Sequence, residues 1–183
     1  MKKKFVFILS LGIIFLANGP VDLRQYVPKI FVYNRTASVP IGWYIKIPTI
    51  TYQKGDYIVF DPPDDVRKLA EDRGWLSAGE NMMKIIGALP GDTYQIMSPV
   101  ATVNEPFTSN HIFYVSGQYI GPVLEMDGQG RRIKSFPVGD YTVPKDTFLA
   151  ITHNPYSFDS RYFGPVPKAN ILYKVYPVPF LTN

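Results

Sequence analysis

The apolar and polar positions divide the chain into two unequal regions. After Lys2, Lys3 and Lys4 the chain is apolar from Phe5 to Ala17, 13 residues, and uncharged as far as Val21, just before Asp22. A spanning helix needs about 17 to 25 residues. A basic start followed by a short apolar core suits a cleaved signal peptide or an uncleaved signal-anchor. The small-residue A-x-A pattern is absent around Ala17, which favours the anchor. A buried core helix would explain neither the lysines nor the position in the chain. The expected division is thus a membrane anchor over residues 1–21 and an exported domain over 22–183, with the lysines left in the cytoplasm by the positive-inside rule. Beyond Ile30, short β-prone runs alternate with turn signals: WYIKIP, YIVFDPP, NMMKIIGALPGD, HIFYVSG, FLAIT and ILYKVYPV, each bounded by Pro, Gly, Asn or Asp. DDVRKLAEDRG differs and predicts one short helix, with Asp64 or Asp65 as N-cap, Gly74 as its stop and Lys68 four residues before Asp72. The pattern implies a mainly β domain of short antiparallel strands with one inserted helix.

Composition agrees and removes several chemistries. Seventeen Pro and 14 Gly among 183 residues, with 13 Tyr and 12 Phe, suit strands joined by turns. There is no Cys, which excludes disulfides, a thiol nucleophile and thiolate metal sites. Two His, His111 and His153, are too few for a multi-His metal centre, and neither has an acidic partner at a suggestive spacing. No cofactor is expected. The net charge is +4, but three of those charges are the N-terminal lysines, leaving 16 basic against 15 acidic residues. This balance argues against a nucleic-acid partner.

Three segments could carry chemistry. In Asn81-Met82-Met83-Lys84-Ile85-Ile86-Gly87 a strand places Lys84 on one face with Met82 and Ile86. Such a lysine is either an edge gatekeeper or a buried functional amine. If buried, desolvation lowers its pKa from about 10.4, and the neutral amine can take a proton from a hydroxyl. Thr36-Ala37-Ser38-Val39-Pro40-Ile41-Gly42 presents Ser38 just before a turn. That hydroxyl is either a nucleophile or a backbone cap. In Ser157-Phe158-Asp159-Ser160-Arg161, Asp159 and Arg161 share a face if the segment is extended, and a solvated turn pair is the simplest reading.

Taken in order, the N-terminal apolar run, SVPIGWY, GDYIVFDPP, MMKIIGALPGD and SFDSRYFGPV resemble the type I signal peptidase (leader peptidase) family of membrane-bound serine peptidases. The likeness covers nearly the whole chain. AEDRGWLSAGENMMKIIGALPGD and SVPIGWY are closer to the TraF-type conjugal-transfer branch, with Val39 where general leader peptidases have Met and Pro40 one residue earlier. The resemblance implies a signal-peptidase-like β fold behind an N-terminal transmembrane helix, and a Ser-Lys dyad. Ser38 matches the nucleophile and Lys84 the general base. Thr36 matches a hydroxyl residue that helps the Ser38 N–H hold the oxyanion. Ser157 matches the serine bonded to the lysine amine, Asp159 and Arg161 the supporting pair, and Gly91 and Asp92 the turn after the lysine strand. Thr152, His153 and Asn154 stand where the family usually has Gly-Asp-Asn.

The implied reaction is acyl transfer at the periplasmic side of the inner membrane, with water or a substrate amine completing it; the latter would cyclise a pilin subunit. The implied partners are a protein substrate, pilin or preprotein, and inner-membrane lipid. Val39, Ile41, Trp43 and Tyr44 are expected either to line pockets for small side chains or to serve as core or membrane-surface contacts. Two other readings stand beside pilin processing. One is a general signal peptidase acting on exported preproteins. The other is a catalytically silent scaffold of a conjugation or secretion apparatus.

Overall fold

The computed structural model describes residues 30–49, 51–98 and 111–182, without the side chains of 180–182. The anchor expected over residues 1–21 lies outside these. Among the described residues no helix is long and apolar enough to cross a membrane.

Eleven strands follow in order: β1 (Phe31–Asn34), β2 (Gly42–Ile47), β3 (Tyr57–Phe60), β4 (Met82–Ala88), β5 (Thr93–Met97), β6 (His111–Val115), β7 (Gln118–Val123), β8 (Gly139–Thr142), β9 (Thr147–Ile151), β10 (Val166–Pro167) and β11 (Ile171–Thr182). Helix α1 (Asp64–Asp72) lies between β3 and β4, and a single helical turn, α2 (Ser160–Phe163), follows β9. The strands form two antiparallel sheets. The larger has the order β1-β2-β11-β3-β4-β9-β10 and the smaller β7-β6-β5-β8. The fold is thus mainly β, as the pattern predicts, with the expected inserted helix.

Helix α1 departs from the expected N-terminus. Its N-cap is Pro63, which has no capping side chain, so Asp64 and Asp65 fall in the first turn. There they oppose the positive end of the helix dipole. Lys68 and Asp72 pair at 3.3 Å on the surface. The stop at Gly74 is as expected: its φ is +71°, its N–H donates to Glu71 O (2.9 Å) and that of Trp75 to Ala70 O (2.8 Å). This is a Schellman closure, which glycine adopts without steric penalty.

Strand β4 is the centre of the arrangement. It lies between β3 and β9, with Tyr57↔Ile85, Ile58↔Lys84, Val59↔Met83 and Phe60↔Met82 on one side and Ile86↔Ala150 and Ala88↔Leu149 on the other. The second register slips at Gly87, whose absent Cβ would lie 2.3 Å from Ile151 Cδ1. A bulge there admits only glycine without repacking. Both faces of β4 are covered. Met82 and Ile86 pack with Ile58, Phe60, Phe148 and α1 residues Val66 and Ala70, whereas Met83 packs with Val39, Tyr44, Val59 and Val175. The two sheets share a third cluster, in which Ala88, Leu149 and Ile151 meet Tyr94, Ile96, Phe113 and Val115.

Candidate functional site

Lys84 settles one of the alternatives open from sequence. β4 is an interior strand, and the residue is 5% exposed, so it is not an edge gatekeeper. Its Nζ donates to Ser157 Oγ at 2.9 Å. Desolvation lowers its pKa from 10.5 to about 8; Asp159 opposes that shift and Arg161 adds to it.

Ser157 is held by the segment expected to be a solvated turn, and here the structure differs. Asp159 and Arg161 are both fully buried and joined at two points, Nε to Oδ1 (2.8 Å) and Nη2 to Oδ2 (2.8 Å). The segment is not extended: Asp159 caps α2, accepting from Arg161 N. The remaining guanidinium protons reach the carbonyls of Pro122 (3.1 Å), Asn154 (2.8 Å), Pro155 (3.3 Å) and Ser157 (3.2 Å). Arg161 therefore gathers the 154–157 loop and sets the position of Ser157. A buried guanidinium is tolerable only when so fully bonded. Thr152, fully buried, donates its N–H to Asp159 Oδ2 at 3.1 Å.

Ser38 lies in the loop between β1 and β2, half-buried. A groove of ≈ 600 Å³ is lined by Thr36, Ala37 and Ser38 from this loop, by Met82, Met83 and Lys84 from β4, and by Ser157 and Phe158. Its walls are Trp75, Leu76, Glu80 and Asn81 after α1, and Leu124, Met126, Asp127, Gly128 and Ile133 after β7. The Lys84 amine is hydrogen-bonded to Ser157 and not to Ser38 among the described residues. Ser38 Oγ is approached by Thr36 Oγ1 at 3.4 Å. Gly91 and Asp92 close the turn after β4: Gly91 has φ +89° and Asp92 accepts from Leu89 N (2.8 Å) and Lys54 Nζ (3.0 Å).

Of the two readings held open for Val39, Ile41, Trp43 and Tyr44, pocket lining does not apply to this groove, which none of them lines. Val39 and Tyr44 are buried in the core beneath it, and Ile41 and Trp43 are exposed. Alternation along β2 accounts for Trp43 and Tyr44, which must face opposite ways; Val39 and Ile41 precede the strand.

Sequence reasoning passed over Asn34 and placed Asn154 only at the family's Gly-Asp-Asn position, without a role. Asn34, at the end of β1, bonds the Ser38 loop through both atoms of its amide. Asn154 donates from Nδ2 to Ala37 O at 2.9 Å, which ties the serine loop to the loop that Arg161 anchors. The available signal was the residue type, since Asn at a strand end before a Pro-Gly turn commonly bonds local backbone.

A mainly β domain thus brings a turn-borne serine and a buried lysine into one groove. The chain belongs to the signal peptidase family, peptidase S26, whose model matches residues 5–178. Among curated relatives, the plasmid transfer protein TraF of Escherichia coli is 29% identical over 153 residues, 79% of this chain and 80% of that protein. A probable conjugal transfer protein TraF of Sinorhizobium fredii is 32% identical over 149 residues, 76% and 71% of the two chains. Signal peptidase I of Leptolyngbya laminosa is 26% identical over 169 residues, 90% and 70%.

Proposed function

We propose that this protein is a membrane-anchored serine endopeptidase with Ser38 as nucleophile and Lys84 as general base, processing a conjugative pilin precursor at the periplasmic face of the inner membrane. The observation that carries the reading is Lys84: a lysine buried on an interior strand, with its pKa lowered to about 8, opening onto the same groove as Ser38. An amine so placed is costly to the fold and useful as a base.

Neutral Lys84 takes the Ser38 proton, and Ser38 Oγ attacks the scissile carbonyl. The Ser38 N–H and the Thr36 hydroxyl hold the oxyanion. Protonated Lys84 then gives its proton to the leaving amine, and an acyl-enzyme remains. Water, or an amine of the same substrate, attacks that ester with Lys84 again as base, releasing a free or a cyclised product. For the first step the Lys84 amine turns from Ser157 toward Ser38, a tightening of catalytic bonds commonly seen on substrate binding. Ser157, Asp159 and Arg161 act behind the dyad by fixing the amine.

The pilin role rests on similarity to proteins named for plasmid and conjugal transfer. The membrane placement rests on the Phe5–Ala17 apolar run and on Phe31, Tyr33, Trp43 and Tyr176, which are exposed on β1, β2 and β11. The test is cleavage of a pilin precursor in membranes by Ser38→Ala and Lys84→Ala variants. Each is expected to lose activity by at least about 10³-fold. Full activity in both would refute the dyad. If the wild type instead rescued a strain deficient in its leader peptidase, the general preprotein role would replace the pilin role.

A further inference from the structure

Asn34 is 6% exposed, and every hydrogen bond of its side chain goes to the loop that carries Ser38. Nδ2 donates to Thr36 O (2.7 Å), Val39 O (2.9 Å) and Pro40 O (3.0 Å). Oδ1 accepts from Thr36 N (3.2 Å) and from the Thr36 hydroxyl (3.1 Å). The orientation of the amide is fixed chemically, because carbonyl oxygens can only accept and the Thr36 N–H can only donate. One side chain thus spans the loop from Thr36 to Pro40, with Ser38 inside the span. The strand pairing supports it from below, since Asn34 stands opposite Gly42 across β1 and β2.

The Thr36 hydroxyl connects this anchor to the chemistry. It carries one proton and has two neighbours, Asn34 Oδ1 at 3.1 Å and Ser38 Oγ at 3.4 Å. The second distance is long for an O–H···O bond, so in this state the Thr36 hydroxyl donates to Asn34 Oδ1 rather than to Ser38 Oγ. When negative charge develops beside Ser38, a rotation about the Cβ–Oγ1 bond carries the proton from Asn34 to the oxyanion.

We propose that Asn34 is a positioning residue of this site: it fixes the loop that presents Ser38 and holds the Thr36 hydroxyl in the orientation from which it turns to the oxyanion. The inference rests on the Ser-Lys peptidase reading and adds the residue through which Thr36 is set. It acts only through Thr36 and the loop. It should therefore change the rate of the chemical step, leave substrate binding largely intact and leave the titration of Lys84 unmoved.

The test is steady-state kinetics of the full-length protein in detergent, on an internally quenched peptide with alanine before the scissile bond. Asn34→Ala, Thr36→Val and the double variant are compared, with Ser38→Ala as control. Asn34→Ala is expected to lower kcat by about 10²-fold, on the scale of losing one oxyanion donor, with KM within about twofold and the pH midpoint unchanged. The double variant should be little slower than Asn34→Ala alone, because both changes remove one unit. Asn34→Gln, which keeps the amide one carbon further out, should recover part of the loss. Wild-type kcat in Asn34→Ala or in Thr36→Val overturns the proposal. So does a double-variant effect equal to the product of the single effects, or a failure of both Asn34 variants to fold while Thr36→Val folds. If Ser38→Ala itself cleaves at the wild-type rate, the peptidase reading has failed, and that outcome is distinct from failure of Asn34 alone.

Discussion

Lys84 shows how one side chain couples stability to chemistry. Its folded pKa is about 8, against 10.5 outside the fold. The folded state therefore binds fewer protons than the unfolded state between those values, and stability gains from Lys84 as pH rises through that window. Below about pH 8 the full cost of burying the charge is borne, about 3 kcal/mol for a shift of that size. Lys84→Met, of similar volume and uncharged, is expected to be inactive yet to melt higher than the wild type at pH 6, with the gap closing toward pH 10. Thermal melts at the two pH values check this. In the proposed role of base Lys84 ties the rate to the same pKa, because the amine is neutral only above it: kcat/KM should rise toward pH 8 to 9 and fall at least about tenfold by pH 6. A profile flat down to pH 5 would remove Lys84 from the role of base. The face of Lys84 was legible in sequence, since Met82 and Ile86 flank it at two-residue spacing. Its burial was not, because burial depends on which strands flank β4, and those pairings join residues far apart in the chain.

At the scale of elements, the bulge at Gly87 is the feature most open to test. β4 must end its pairing with β9 in a shifted register, and Ile151 fills the space a side chain at 87 would need. Gly87→Ala is expected to cost about 1–3 kcal/mol by overpacking, read as a lower denaturation midpoint. Adding Ile151→Ala should cost less than the separate effects combined, since the second change opens room for the first. Elements made of β-prone apolar runs bounded by turn residues were readable in advance: β2, β3, β4, β6, β9 and β11 match the expected runs. Those missed are mostly edges. β1 and β10 end the larger sheet, and β7 and β8 end the smaller one. β7 carries Gly121 and Pro122, and β8 begins Gly139-Asp140. Edge strands tolerate such residues because only one side needs a ladder, so the same letters that signal a turn also fit an edge. The Asp159–Arg161 segment misled for a related reason, since nothing local distinguishes a solvated pair from one enclosed by two sheets.

Across the whole molecule, the groove is closed by a charged knot between distant segments. Asp127, after β7, accepts from Arg73 Nη1 (3.3 Å) and Arg131 Nε (2.6 Å), while Arg73 Nη2 donates to Arg132 O (2.6 Å). Trp75 lies against both guanidiniums and packs at a tilt on Phe158, 5.0 Å between centroids. Burial pushes the Asp127 carboxyl up, but bonds from the Arg131 N–H and side chain and the Gln129 N–H outweigh it and hold the pKa at about 2. That contribution is present above the unfolded value near 3.8 and is lost only as pH falls through about 2, so the knot is intact wherever Lys84 can work. Asp127→Asn is expected to raise KM several-fold with kcat and the pH midpoint little changed, and to speed amide hydrogen exchange over 124–133. A kcat loss with unchanged KM would place Asp127 in the chemistry instead of the wall.

Under the peptidase reading proposed above, the clasp from Asn154 to Ala37 has a consequence for how the site can diversify. Ser38 and Lys84 sit on segments that meet through one continuous lattice: the serine loop, the Asn154 side chain, the Arg161 guanidinium, Ser157 and the amine. The other groove walls come from residues 75–81 and 124–133, which supply none of the links in that lattice. On that reading, reactivity and selectivity are carried by different stretches of chain. Exchanging a wall would then change the target and leave the Ser38 and Lys84 segments in register.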